Sequence, residues 1–143
     1  MFILAFAIPQ RFGQGAESTN TNRATTQMRI KIGSSNFVAT LDDNPTATAF
    51  KARLPLTVDM QELNGNEKLY RLPNKLPTKA SNPGTITNGD LMLYGANTVV
   101  LFYKSFPTSY SYTRLGRVTE PVGLASAVGS GSVTVTFELA GKP

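Results

Sequence analysis

Alternating hydrophobic and polar residues begin near Gln27, where the sequence pattern first predicts secondary structure. In QMRIKIG, Met28, Ile30 and Ile32 fall on one side of an extended strand, and the basic residues between them fall on the other. A Gly-Ser-Ser turn follows, and NFVATL, from Asn36 to Leu41, continues in extended form. The pattern predicts a β-hairpin that begins near Gln27.

A helix start interrupts the strands directly after this hairpin. Residues Asp42 to Pro45 read DDNP, in which an Asx side chain caps free backbone N–H groups and proline fits the first helical position. Hydrophobic residues then continue at roughly helical spacing until Pro55 ends the pattern. The sequence therefore predicts one short helix, followed by a strand over LTVDM, Leu56 to Met60.

The segment from Asn64 to Pro83 has turn signals and three prolines instead of a clear hydrophobic period. We predict a long loop here, and long loops in small domains often carry function. Glu67 and Tyr70 lie in this predicted loop.

The most hydrophobic part of the chain follows the loop. LMLY, Leu91 to Tyr94, and TVVLFYK, Thr98 to Lys104, flank a Gly-Ala-Asn turn, and the second run is apolar enough to be covered on both faces. Further strands are predicted over YSYTRLGRV, Tyr110 to Val118, and over SVTVTFEL, Ser132 to Leu139, with a short helix between them that Gly129 ends. With about seven or eight strands and two short helices, the predicted fold class is mainly β.

The length of 143 residues predicts one domain, residues 27-143, behind an N-terminal segment of different character. Residues 1-26 contain an apolar run and then a polar stretch, and we predict a flexible extension or a weak signal-like segment. The localisation therefore stays open between cytoplasmic and exported. No run reaches the roughly twenty apolar residues that span a bilayer, so no membrane span is predicted.

Two residue types are missing from the composition, and their absence excludes whole classes of chemistry. The chain has no cysteine and no histidine, so it has no disulfide, thiolate nucleophile, imidazole base or ordinary transition-metal site. We therefore predict neither a metal nor another cofactor. The formal net charge is +5, but the basic residues are scattered. We interpret the run Lys68, Arg71, Lys75 and Lys79 as a solvated loop, so nucleic acid is not a predicted partner.

Five aromatic rings crowd the stretch FYKSFPTSYSY. Phe106 and Tyr110 come after the strand, in a turn rich in Ser and Thr, where rings have less reason to be buried in the core, and Tyr112 follows two residues after Tyr110. We predict that these rings line a groove with Tyr70 and Glu67 at its rim, suited to a peptide or a small-molecule ligand. The alternative interpretation is simple packing of the loop.

The chain resembles the cyclophilin-like domain family of bacterial and archaeal proteins in three long runs: DNPTATAFKARLPLTVDMQELNGNEKLYRLPNKLPT, NPGTITNGDLMLYGANTVVLFYKSFPTSYSYTRLGRV and GLASAVGSGSVTVTFEL. The resemblance covers Gln27 to Leu139 and implies a closed cyclophilin-like β-barrel flanked by about two short helices. Because such domains also occur joined to flavodoxin-like domains, the resemblance adds a flavodoxin-like redox protein as a candidate partner.

Peptidyl-prolyl isomerase activity follows from the resemblance only as an alternative. Cyclophilins that isomerise proline bonds share a Phe-His-Arg strand, a Phe-x-x-Gln element and usually a tryptophan. This sequence has no His, no Trp and no Phe-x-x-Gln. In an atypical isomerase, Arg114 would be the catalytic residue, donating a hydrogen bond to the twisted amide from the strand face that it shares with Tyr112. The other interpretation of Arg114 is an outward side chain on a solvated barrel strand. The sequence thus predicts a ligand-binding domain rather than an established enzyme.

Overall fold

Alternating residues build an antiparallel β-barrel in the computed structural model, which describes residues 26–140. This part of the chain holds ten strands and two helices. The strands are β1 (Thr26–Ile32), β2 (Ser35–Leu41), β3 (Leu56–Leu63), β4 (Glu67–Arg71), β5 (Thr85–Ile86), β6 (Asp90–Tyr94), β7 (Thr98–Phe102), β8 (Phe106–Pro107), β9 (Thr113–Val118) and β10 (Val133–Leu139). The helices are α1 (Pro45–Lys51) and α2 (Leu124–Val128).

Eight of these strands close into a barrel in the order β9-β2-β1-β10-β3-β4-β7-β6. Each neighbouring pair is antiparallel, including the β6 and β9 pair that completes the ring. Closure removes the free strand edges that an open sheet would expose. Strands β5 and β8 form a separate two-stranded sheet. The predicted fold class, a mainly β closed barrel with two short helices, is confirmed.

The barrel interior is filled by one side of each alternating pattern. Met28, Ile30 and Ile32 of β1 are all buried, as their spacing predicts. The helices lie where the chain crosses the two ends: α1 joins β2 to β3 at one end, and α2 precedes β10 at the other. From α1, the Phe50 ring meets the Phe137 ring edge to face at a centroid distance of 5.6 Å.

The start of α1 follows the sequence signal closely. The Asn44 side-chain oxygen accepts a hydrogen bond from the backbone N–H of Ala47 at 2.7 Å, and Pro45 is the first helical residue. The amide nitrogen of the same Asn44 side chain donates to the backbone carbonyl of Arg114 at 3.0 Å. The helix cap therefore also ties α1 to barrel strand β9.

The predicted long loop from Asn64 to Pro83 is wrong in its first part, because Glu67–Arg71 is barrel strand β4. Asn64 and Gly65 have φ values of 58° and 67° and lie in the three-residue turn that connects the paired residues Leu63 and Glu67. Glu67 and Tyr70 therefore lie on the barrel wall. Because Lys68 of the same strand is fully buried, the basic run that begins there is not a continuous surface patch.

Strands β6 and β7 are buried on both faces, which explains their unbroken hydrophobic sequence. Their inward residues join the barrel core, and their outward residues join a second apolar cluster beneath the small β5 and β8 sheet. The buried members of this second cluster are Ile86, Met92, Val100, Phe102 and Tyr112, with Leu69 and Phe106 packed against them. A covering layer on one side of the barrel thus positions the rings that the sequence singled out.

Gly116 of β9 lies close to the backbone of the neighbouring strand β2, and this contact generates a stability prediction. It pairs with Leu41, and a Cβ atom at Gly116 would overlap the backbone carbonyl oxygen of Thr40. We expect Gly116→Ala to lower the free energy of unfolding by about 2 kcal/mol or more, measured by urea denaturation. The control is Gly131→Ala, because a Cβ there meets no atom within 4 Å, and we expect a change below about 1 kcal/mol. Equal small effects for both variants would contradict the close pairing of β2 and β9.

Candidate functional site

The outer face of β4 and β7 forms the floor of a groove. Pairing between these strands sets three residue pairs side by side along it: Glu67 with Phe102, Leu69 with Val100, and Arg71 with Thr98. Directly opposed residues on one sheet face lie close enough for their side chains to touch. The floor therefore changes along its length from an acid beside a ring, through an apolar middle, to a base beside a hydroxyl. Glu67 and Arg71 are four residues apart, which corresponds to about 13 Å of extended strand.

A chain of five aromatic rings builds one wall of this groove, and four of the five line it. The Phe102 ring contacts Phe106 at 5.7 Å and Tyr112 at 5.5 Å, measured between centroids. Tyr112 continues to Tyr94 at 5.7 Å, and Tyr94 continues to Tyr110 at 6.2 Å. These separations are typical of stacked and edge-to-face aromatic pairs. Exposure rises along the chain, from 0% at Phe102 to 47% at Tyr94 and 61% at Tyr110. The buried rings thus support two tyrosines that face solvent.

Backbone pairing holds the wall rings in place. Tyr112 exchanges two backbone hydrogen bonds with Ser81, both at 2.9 Å. Phe106 lies in β8, where it pairs with Ile86 of β5. The segment that carries both rings is therefore fixed to the covering layer and not only to its own side-chain contacts.

The groove encloses about 510 Å³, which lies within the range of small-molecule and peptide sites. Its acidic end is closed by the turn between β3 and β4, and its wall by the rings and the turn around Tyr110. The lining residues are Leu63, Asn64, Asn66, Glu67, Leu69, Arg71, Tyr94, Thr98, Val100, Phe106, Pro107, Thr108, Ser109, Tyr110 and Tyr112. The surface is apolar and aromatic in its middle, with polar groups at both ends.

Glu67 is the most unusual polar residue of the groove. It is 8% exposed, and within residues 26–140 its carboxylate has no hydrogen bond or ion pair. Burial raises the pKa of Glu67 to about 6, and the nearby charge of Glu62 acts in the same direction. At neutral pH this carboxylate is mostly ionised in an environment that disfavours its charge.

The neighbouring residue, Lys68, points to the other side of the barrel wall, where its ammonium has hydrogen-bond and ion-pair partners. Its ammonium donates to the carbonyl oxygens of Gly129 and Gly131 and lies 2.9 Å from the Glu62 carboxylate. The Tyr103 hydroxyl donates to the same carboxylate at 2.6 Å. This network fixes the loop after α2 against the end of the barrel.

The same network sets the pKa values of its acidic members. Burial alone would raise the pKa of Glu62, but hydrogen bonds from Tyr103, Lys68 and the Gly65 backbone outweigh it, and the pKa is lowered. Burial raises the pKa of Tyr103 to about 12, assisted by its hydrogen bond to Glu62. Burial also raises the pKa of Tyr112, and the Glu67 charge adds to the effect. At neutral pH, Glu62 therefore stays negatively charged and both tyrosines stay neutral. None of these three groups supplies a positive charge to Glu67.

Comparisons with known proteins place this geometry in a family. A family model described as the cyclophilin-like family matches residues 30–138. The chain belongs to the cyclophilin-like family. Among solved structures, the hypothetical protein AF2241 from Archaeoglobus fulgidus is similar, with a TM-score of 0.61 and 18% identity over 82% of this chain and 96% of that one. That likeness supports the fold alone. A search of curated proteins gives no match.

The structure of this cyclophilin-like domain brings together four of the five predicted ligand-binding residues. Glu67, Phe106, Tyr110 and Tyr112 all line the groove. Tyr70 does not, because its position on β4 has the opposite parity, and its side chain packs against the barrel core. The predicted binding role of these residues stays a prediction.

Arg114 lies outside the groove, in a second concavity of about 310 Å³ that Tyr112 also borders. Its guanidinium is 3.4 Å from the Asp42 carboxylate and 3.3 Å from that of Asp90. Asp90 in turn accepts a hydrogen bond from the Thr87 backbone at 2.8 Å. Arg114 therefore links the start of the α1 segment to β6 and β9. It shares a face with Tyr112, as its spacing predicts, but not with Phe106 or Tyr110.

Sequence reasoning missed several groove residues, most clearly Tyr94, Leu69 and Arg71. The alternation of EKLYR around the Asn-Gly turn was a signal for a strand that would have turned Leu69 and Arg71 to one face with Glu67. Tyr94 gave no such signal, because only the pairing of β6 with β7 and β9 brings it beside the later rings.

Two features are absent from residues 26–140. No cluster of three or more acidic side chains is arranged in this range to hold a metal ion. None of the helices in the same range is long and apolar enough to cross a membrane.

The raised pKa of Glu67 predicts a specific pH dependence of stability. Because the pKa is higher in the folded state than the ordinary value of 4.5, folding favours the protonated form. The fold therefore loses stability as the pH rises through the range from 4.5 to about 6, and the loss persists above it. The Glu67→Gln variant should be more stable than the parent by about 2 kcal/mol at about pH 8 and equally stable at about pH 4, measured by urea denaturation.

The matched control for this measurement is Glu120→Gln, which changes an exposed acid outside the groove. We expect it to leave the stability unchanged within about 0.5 kcal/mol at both pH values. A Glu67→Gln variant that is equally stable or less stable than the parent at high pH would show that the carboxylate is not strained by its surroundings.

Proposed function

We propose that this cyclophilin-like domain is a binding module that holds an extended peptide segment in the aromatic groove, without catalysis. The observation that carries the proposal is the pair of exposed rings, Tyr94 and Tyr110, beside a groove of about 510 Å³. These two rings meet edge to face, and Tyr94 also packs against the buried Tyr112 ring. Tyrosine is favoured in binding surfaces because it supplies a large flat contact area and a hydroxyl with few rotatable bonds.

The shape of the groove favours an extended chain as the ligand. Its floor follows strand β4 for about 13 Å, a length that corresponds to about four residues of extended peptide. Apolar side chains line the middle, at Leu69 and Val100, and polar groups lie at the two ends. A small molecule of similar length and chemistry would satisfy the same surface, and it is the alternative ligand.

Exposed hydrophobic residues concentrate at the rim of this groove. Six large hydrophobic side chains are exposed in residues 26–140, and three of them, Leu63, Tyr94 and Tyr110, line it. Exposed apolar surface costs free energy in water unless a partner covers it, so clustering at one concavity supports a binding site.

An isomerase function for Arg114 receives less support from the geometry. Its guanidinium is engaged by two carboxylates, those of Asp42 and Asp90, and it borders a different concavity from the one that Tyr94 and Tyr110 line. A peptide bound along the groove would therefore not present its amide bonds to Arg114. No observation on the structure favours a flavodoxin-like partner over other proteins.

Binding is tested with a pool of capped pentapeptides added to isotope-labelled protein, with backbone amide shifts as the readout. We expect shifts at Leu69, Val100 and Tyr110. We further expect Tyr110→Ala to weaken binding of the selected peptides by about tenfold, because it removes an exposed ring without disturbing the core.

The control variant is Val122→Ala, which trims the most exposed large hydrophobic residue, 90% exposed and outside the groove. It should leave the affinity unchanged. Shifts confined to other surfaces, or equal affinities for the two variants, would contradict the proposed site. Shifts produced by a small-molecule fragment set but by none of the peptides would support the alternative ligand.

Catalysis is tested separately with a protease-coupled assay on a proline-containing peptide. Because the groove offers no free arginine at its apolar middle, we expect no acceleration of the cis to trans conversion by the parent protein. Acceleration that disappears in Arg114→Ala would contradict a purely binding function and support the isomerase alternative.

A further inference from the structure

The acidic end of the groove carries two hydrogen-bond acceptors without partners. Glu67 is a buried residue, and its carboxylate has no hydrogen bond or ion pair within residues 26–140. The side-chain oxygen of the adjacent Asn66 is also buried without a partner in the same range. Burying a charge or a polar oxygen without compensation is unfavourable, so such groups in native proteins call for an explanation.

None of the positive charges within residues 26–140 forms an ion pair with Glu67. Lys68 is adjacent in sequence, but it projects into the barrel and is bound to Glu62 and two carbonyl oxygens. Arg114 is engaged by two aspartates and borders the second concavity. Arg71 is the cationic residue among those that line the groove, and it lies at the opposite end, about 13 Å away along β4.

The surroundings of Glu67 suit a cation for a second reason. Two aromatic residues, Phe106 and Tyr112, line the groove together with Glu67, and the Tyr112 hydroxyl is close enough to Glu67 for the carboxylate charge to affect its pKa. The faces of aromatic rings attract positive charge, and they do so more strongly where water is partly excluded. An ammonium has three donors and no acceptor, which matches a site with a carboxylate and an amide oxygen.

We infer that the groove selects ligands with a positively charged nitrogen on an apolar stem, such as a lysine side chain, and that Glu67 binds this nitrogen at the end of the groove that Asn66 lines. The inference rests on the proposed function, because it names the ligand chemistry of the same groove. The apolar stem lies along Leu69 and Val100, and the charged group reaches the acidic end. A peptide lysine and a small alkylamine share this chemistry.

Binding of a cation also changes the protonation of Glu67. The titratable groups that face this carboxylate are Glu62, Tyr103 and Tyr112, and none of them brings a positive charge to it. In the free protein its pKa is about 6, so about half of the molecules are protonated at that pH. A bound ammonium favours the ionised form, so binding near pH 6 releases a proton, and affinity falls as the pH drops below 6.

The test compares two capped pentapeptides, Ala-Val-X-Val-Ala, in which X is lysine or the uncharged norleucine. We expect the lysine peptide to bind the parent protein about tenfold more tightly at about pH 7.5, and Glu67→Gln to reduce the ratio to about one. Glu120→Gln, an exposed change outside the groove, should keep the full ratio. Calorimetry of the lysine peptide at about pH 6, in buffers of different ionisation enthalpy, should show that binding to the parent protein releases a proton. This measurement does not depend on the folding of any variant.

The outcomes separate this inference from the proposed function. Equal affinities of the two peptides for the parent protein, with amide shifts in the groove, would overturn the cation inference and leave peptide binding intact. No shifts with either peptide or with n-butylamine would overturn both. Binding of n-butylamine alone, abolished in Glu67→Gln, would support recognition of the charged nitrogen and assign the ligand to small amines.

Discussion

The need to cover the outer face of β6 and β7 is the constraint on which this structure depends. The outward residues of a barrel strand normally face solvent. On β6 and β7 these residues include Met92, Val100 and Phe102, which are as buried as the barrel core. Burial of this apolar surface is favourable in proportion to its area, so the chain folds an additional layer over it. The two-stranded β5 and β8 sheet and the isolated bridge between Ser81 and Tyr112 form that layer.

The covering layer does not extend as far as β4, and the groove is the part left open. Its wall is the exposed end of a ring chain whose buried end belongs to the covered cluster, so the rings are rigid where they meet solvent. Strand parity then determines the electrostatics, because Glu67 and Lys68 are adjacent but lie on opposite sides of the barrel wall. The lysine stabilises the barrel end, and no basic side chain of the described residues 26–140 forms an ion pair with the glutamate in the groove.

The period-two patterns predicted most of the barrel, because burial of one face forces alternation in β1, β2, β3 and β10. The start of α1 was equally predictable, since the Asn44 cap is a local interaction. Strand β4 was missed because prolines further along led the whole segment to be interpreted as a loop, although the Asn64-Gly65 dipeptide is a hairpin signal.

The site was predictable only in part, for a related reason. Phe106, Tyr110 and Tyr112 stood out because rings in a polar turn are unusual, and all three line the groove. Tyr94 joins them through non-local pairing of β6 with β7 and β9, which no short stretch of sequence encodes. Tyr70 was predicted at the groove rim because β4 was interpreted as a loop. In a strand, successive side chains point to opposite faces, and the Tyr70 side chain packs against the barrel core.

Titration of the Glu67 side-chain carboxyl, followed by carbon-13 chemical shift in the free protein, tests the central claim most directly. The account requires this acid to lie under the rings without a counter-charge, so its midpoint should be near pH 6, well above the ordinary value of 4.5. A midpoint at or below the ordinary value would mean that solvent or a positive group already satisfies the carboxylate, and the groove would then have no unmet charge to offer a ligand.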